Sequence, residues 1–121
     1  ARVKVVGGDF NHDSLGEGYD LVVTSNALQF AQPIGAVMAK IYDALNPSGV
    51  CVSIFAFGHT HERTKPELLV LSLLSSALMG HETGIDQGYI ANAMVSTGFK
   101  SVHSSIVTTN WGPMELDIAR K

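Results

Sequence analysis

The chain has 121 residues, of which 45% are hydrophobic and 16% charged, and its eight basic and eleven acidic side chains give a net charge of −3. That length suits one domain, residues 1–121, with a core of its own. The lack of any run of like charges argues against a nucleic-acid partner or a membrane surface, and the most apolar run, Leu68 to Met79, is too short to cross a bilayer.

Strand and helix patterns alternate along the chain. Val3 to Val6 predicts a first strand ended by Gly7-Gly8. It starts almost at the first residue, with no initiator Met and no polar lead-in, which leads us to expect a piece of something longer. Leu21 to Thr24 predicts a second strand, a continuous apolar run of the kind buried on both faces of a parallel sheet. From Pro33 to Leu45, Ile34, Val37, Met38, Ile41, Tyr42 and Leu45 fall on one helix face, and Asn46-Pro47-Ser48-Gly49 stops the helix. Val50 to Phe57 predicts a third strand, parallel to the second through a right-handed crossover. It contains Cys51, the single cysteine, which reads as a small buried hydrophobe and fits a reducing, cytoplasmic setting.

After a polar loop, Pro66 to Met79 predicts a helix with leucine on nearly every face, to be covered by the domain or by a partner subunit. Asp86 can cap a further helix running to about Thr97, with Gly98 as its stop. In the tail, Val102, Ser104, Ile106 and Thr108 alternate with their neighbours, and Met114, Leu116 and Ile118 alternate with Glu115, Asp117 and Ala119. With a Gly-Pro turn between them, these runs predict an antiparallel hairpin. The fold class is thus α/β, with parallel strands that end in a hairpin.

Two stretches carry chemistry. In "VVGGDF", residues 5 to 10, glycines free the backbone at the carboxyl end of a strand, where open α/β sheets bind ligands. Asp9 can accept from an exocyclic amine and Phe10 can lie against a ring face; the plainer account is a turn with a capping Asp. In "TSNALQF", residues 24 to 30, Ser25 and Asn26 end the second strand on the same side, although Asn26 also suits a simple turn. "HTHE", His59 to Glu62, has metal-ligating residue types but no third convergent cluster, so these histidines, like His12, His81 and His103, read as solvated.

Taken in order, Gly8-Asp9-Phe10, Asn26-Ala27-Leu28-Gln29-Phe30 and Ala44-Leu45-Asn46-Pro47-Ser48-Gly49, followed by the hairpin, resemble the hydroxyindole and hydroxyneurosporene group of O-methyltransferases. These are class I enzymes that use S-adenosylmethionine. The group carries "GDFF"-like, "N-x-L-H-x-W/F"-like and "AL-x-P-G-G" motifs at these places. The resemblance covers essentially the whole chain and implies the C-terminal part of a catalytic domain: a partial Rossmann-like sheet lacking the first two strands of the fold.

The resemblance further implies that Gly8, Asp9 and Phe10 meet the adenine of S-adenosylmethionine and that Ser25 and Asn26 line the wall near its methionine part. Phe30 and Met79 would face a small-molecule acceptor. The family's glycine-rich cofactor loop precedes the matched part, so the isolated chain is expected to be inactive and to bind cofactor poorly. Val3 to Val6 would lack its usual neighbour and either pair with another copy or be disordered. Self-association is therefore expected through that strand or the leucine-rich helix.

The family's general base is a His where this chain has Gln29, and a carboxamide cannot take a proton. Three readings stay open: an acceptor that needs little base help, which we favour; another residue as base; or a catalytically silent α/β regulatory or interaction module. A nicotinamide dehydrogenase fits less well, because "GGDF" lacks the G-x-G-x-x-G spacing.

Overall fold

A computed structural model of the chain describes residues 2–56, 70, 74, 77, 78, 80, 85–110 and 112–121. Its regular elements among these are strand β1 (Tyr19–Ser25), a 3-10 turn (Leu28–Phe30), helix α1 (Ile34–Ala44), strand β2 (Leu45–Phe55), helix α2 (Tyr89–Thr97), and strands β3 (Ser101–Thr109) and β4 (Gly112–Arg120). The four strands form one mixed sheet in the order β1-β2-β4-β3. β1 and β2 are parallel, with Val22 opposite Cys51 and Ser25 opposite Ile54. β4 runs antiparallel to both β2 and β3, so the hairpin folds back and inserts its second strand beside the parallel pair.

The parallel pair and α1 follow the apolar pattern. Val37, Met38, Ile41 and Ala44 form the buried stripe of α1, and Pro33 precedes its first turn with extended backbone. β2 begins directly at Leu45, and the Asn46–Gly49 segment loops out of the ladder, which shifts register between Tyr19 and Leu21. Ser48 there has a φ of 64°. A Cβ on Gly49 would lie 2.9 Å from the Asn46 carbonyl, so only glycine fits. Lys121 closes the base of α1 by donating from Nζ to the Leu45 carbonyl at 2.7 Å, with its ammonium over the Tyr42 ring.

Three expectations are corrected. Val3 to Val6 forms no strand; Val3, Val5 and Val6 are 75–91% exposed, and no strand among the described residues pairs with them. Asp86 does not cap the last helix: α2 starts at Tyr89 after Gly88, whose φ of 84° makes the turn, while Gly98 ends it with a φ of 107° as expected. Among the described residues, the parallel strands are covered on one face only. Val22 and Thr24 of β1 and Cys51, Ser53 and Phe55 of β2 lie under the helices, whereas Leu21 and Val23 on the other face are 54% and 60% exposed.

The core gathers Val37, Met38, Ile41, Cys51, Phe55, Ile90, Met94, Phe99 and Ala119 between the two helices and the sheet. Tyr42 packs edge-on against Phe99 with ring centroids 5.0 Å apart. On β4 it is Glu115, Asp117 and Ala119 that point into this layer, while Ile118 on the alternate set is 38% exposed. Of the leucine-rich segment the structure describes Val70, Leu74, Ala77 and Leu78, which are helical and exposed. Among the described residues no helix is long and apolar enough to cross a membrane.

Candidate functional site

The carboxyl ends of β1 and β2 open on the same edge of the sheet, the edge where open α/β sheets take ligands. Asn26 shapes that edge. Its φ of 47° lies in the left-handed region that Asn tolerates better than most residues. Its N–H donates to the Ile54 carbonyl at 2.9 Å, and its side-chain Oδ1 accepts from the Ala56 N–H at 3.0 Å. The parallel ladder is thereby carried one step past Ser25 and the chain is turned into the Leu28–Phe30 turn. Ser25 is exposed, and its hydroxyl has no hydrogen bond among the described residues.

The Gly8-Asp9-Phe10 stretch is a tight reciprocal turn. The Asp9 carbonyl accepts from the His12 and Asp13 N–H groups at 3.0 and 2.7 Å, and Asp13 Oδ2 accepts from the Asp9 N–H at 2.7 Å. Asp9 Oδ1 accepts from the Asn11 N–H at 2.9 Å. A Cβ on Gly8 would lie 2.8 Å from Asp13 Oδ2, so a side chain there would push that carboxylate aside from the Asp9 N–H. One Asp9 oxygen is used in the turn; the other, Oδ2, stands 3.9 Å from His12 Nε2 on a side chain that is 55% exposed. Phe10 is half-buried and packs against the core.

A residue that sequence reasoning missed joins the two stretches. Asn11 donates from Nδ2 to the Phe30 carbonyl at 3.1 Å and accepts at Oδ1 from the Gln32 N–H at 2.8 Å. Its carboxamide grips the backbone on both sides of Ala31 as a paired strand would, and so fixes the Asp9 turn beside Gln29 and Phe30. Both of those side chains are half-buried, and the Gln29 carboxamide makes no hydrogen bond among the described residues.

Gly8, Asp9, Phe10, Gln29 and Phe30 are thus brought together through Asn11, with Ser25 and Asn26 at the strand end that leads into them. Met79, His59, His61, Glu62, His81 and Glu82 lie outside the described residues. His12 and His103 are exposed, and no group of three or more metal-ligating side chains gathers among the described residues. Cys51 is fully buried, and burial, aided by the nearby Asp117, pushes its thiol up to about 12, so it is an inert packing group as expected. A separate open groove of about 510 Å³ lies between Ile34, Gly35 and Ala39 of α1 and Tyr89, Asn92 and Ser96 of α2; none of the expected site residues lines it.

No family model and no curated protein matches the chain at a significant level. Solved structures do match. An O-methyltransferase family protein from Burkholderia thailandensis aligns over 99% of this chain and 36% of its own, with 17% identity and a TM-score of 0.72. The mitomycin 7-O-methyltransferase MmcR aligns over 98% of this chain and 34% of its own, with 19% identity and a TM-score of 0.72. Human N-acetylserotonin methyltransferase, solved in complex with SAM, aligns over 94% of this chain and 32% of its own, with 24% identity and a TM-score of 0.65. The chain spans about a third of the length of these structures, and at such identity the likeness is one of fold. The chain has the α/β fold of part of an O-methyltransferase structure, with a mixed sheet and a returning hairpin.

Proposed function

We propose that the chain is the C-terminal part of the catalytic domain of a small-molecule methyltransferase that uses S-adenosylmethionine, with O-methyl transfer as its reaction. The observation that carries this reading is the arrangement at the sheet's carboxyl edge: Asn11 ties the Asp9 turn to the backbone at Phe30 and Gln32, beside Gln29 in the chain, and Asn26 fixes the strand end that leads there, within a fold shared with O-methyltransferases. The uncovered face of the sheet supports the fragment reading. β1 pairs only with β2 among the described residues, and Tyr19, Leu21 and Val23 stand exposed beside that open edge. An apolar face of this kind fits a surface covered by the rest of a parent domain.

The residues present suit the cofactor's chemistry. Asp9 retains an oxygen outside its turn, which can accept from an exocyclic amine, and the half-buried Phe10 follows it directly in the chain. Ser25 offers an exposed hydroxyl, and Asn26 holds the strand end in place. When bound, S-adenosylmethionine supplies an electrophilic methyl group on a sulfonium. Gln29 can orient an acceptor by hydrogen bonding but cannot take its proton, so the chain's contribution is positioning. That points to acceptors that lose a proton easily or need not lose one first, such as an acidic phenol, an amine or a carbon nucleophile. Within the same reading, the lone buried Cys51 fits a cytoplasmic location, and self-association would use Val3 to Val6 or the leucine-rich helix.

Methyl transfer from labelled cofactor to phenol, amine and carbon acceptors tests the reading in the full-length protein. Turnover is expected, and a Gln29→His variant should extend it to less acidic hydroxyls. The second reading, a silent regulatory or interaction module, is favoured by Gln29 alone; it is supported if the unmodified protein turns over none of these acceptors.

A further inference from the structure

Glu115 and Asp117 are 1% and 0% exposed and occupy alternate positions of β4, so both carboxyls enter the layer between the sheet and α2. The Gly88 N–H, immediately before α2, donates to both Glu115 oxygens at 3.0 and 2.9 Å. Asp117 has no backbone donor: neither of its oxygens has a well-formed hydrogen bond among the described residues, although the side chains of Ser104 and Glu115 are near enough to offset part of the effect of its burial. From β3, Ser104 is opposite Asp117 and Ile106 is opposite Glu115. From β2, Ser53 and Phe55 are opposite the pair, with Cys51 one step beyond. Among the described residues no Lys, Arg or His pairs with either carboxyl.

Two buried carboxylates side by side without a cation are costly, because each charge loses its water and repels the other. From this arrangement we infer that Glu115 and Asp117 share one proton, and that the pair is a pH-sensitive latch holding the amino end of α2 against the hairpin. The shared proton lets one acid donate to the other while a carboxylate oxygen remains for the Gly88 N–H; the proton belongs to the pair, not to either residue. Burial is the main cause that raises both groups above their ordinary range, and the mutual charge raises Glu115 further. The inference does not depend on the methyltransferase reading.

The folded protein then binds more protons than the unfolded chain across the window between the ordinary carboxyl values and the raised ones. The latch is fully stabilising below that window and weakens as pH rises through it. At high pH both acids are ionised, and their repulsion and lost hydration outweigh the Gly88 hydrogen bond, which itself favours an ionised Glu115, so the layer between β4 and α2 loosens.

Difference infrared spectroscopy of the full-length protein at neutral pH, wild type against Asp117→Asn, Glu115→Gln and the variant carrying both changes, tests this directly. A protonated-carboxyl band present in the wild type, and lost only when both acids are replaced together, is expected. Urea midpoints measured from about pH 5 to about pH 8 should fall with rising pH in the wild type and stay nearly flat in the variant with both acids replaced. Absence of the band, or parallel pH profiles in the two proteins, overturns the proposal. The infrared measurement on the wild type stands even if a variant fails to fold.

Discussion

The helix-covered face of the sheet carries Cys51, Ser53, Phe55, Glu115, Asp117 and Ala119, all buried, whereas the opposite face carries Leu21, Val23, Val52, Ile54, Leu116 and Ile118, all partly or largely exposed. Two buried carboxyls lie on the covered face, whereas the open face is apolar along Leu21, Val23, Val52, Ile54, Leu116 and Ile118 and turns polar only at β3 and the strand ends, with His103, Ser105 and Arg120. Burial of a single face therefore does not explain the sequence of β1 and β2, since Val, Ile and Leu on the second face also call for a cover. The pattern makes sense when both faces have work to do, one against α1 and α2 and one against a surface beyond the described residues.

The sharpest way to break the comparison is to empty the covered face. Phe55→Ala should destabilise the fold by about 3–5 kcal/mol, because a fully buried ring leaves a cavity between α1, α2 and β4. Urea unfolding measures it, and a loss below about 1 kcal/mol would mean that this layer is not the core. Val23→Asp probes the other face. In the full-length protein it should cost about 2 kcal/mol or more, since the proposed cover would bury an unpaired charge. In the 121-residue chain alone the same change should stay within about 0.5 kcal/mol, because Val23 is 60% exposed. Equal effects in the two contexts would remove the argument for a cover.

Between these extremes lies the carboxyl edge. Asn26→Ala loses the hydrogen bond to Ala56 and places a Cβ residue without a capping side chain at a φ of 47°, which should cost about 1–2 kcal/mol. Asn11→Ala should cost about 1 kcal/mol and loosen the Asp9 turn from Phe30. Amide exchange at Gln32, whose N–H donates to Asn11, reads that release without relying on global stability.

Elements whose signal is local were legible in the sequence: the α1 stripe from Val37 to Ala44, the β1 and β2 runs, the hairpin, and the Gly98 stop. What could not be read depends on neighbours. Val3 to Val6 has strand propensity but no partner among the described residues, and strands exist only as pairs. The alternation in Met114 to Ala119 announces a strand correctly but gives no sign of which set faces inward, because that depends on the helices lying on the Glu115–Asp117 side. At the site, Gly8, Asp9, Ser25, Asn26 and Gln29 stood out by type and position. Asn11 did not, since its clamp reaches about 20 residues along the chain and no spacing rule marks such a contact.

The central claim is that the Asp9 turn and the ends of β1 and β2 form part of a site for S-adenosylmethionine. Calorimetric titration of the full-length protein with the cofactor tests it most directly. The account predicts saturable binding that Asp9→Ala weakens by about tenfold and that the 121-residue chain alone shows only about a thousandfold more weakly. Absence of binding to the full-length protein at about millimolar cofactor, or unchanged affinity in Asp9→Ala, would contradict it.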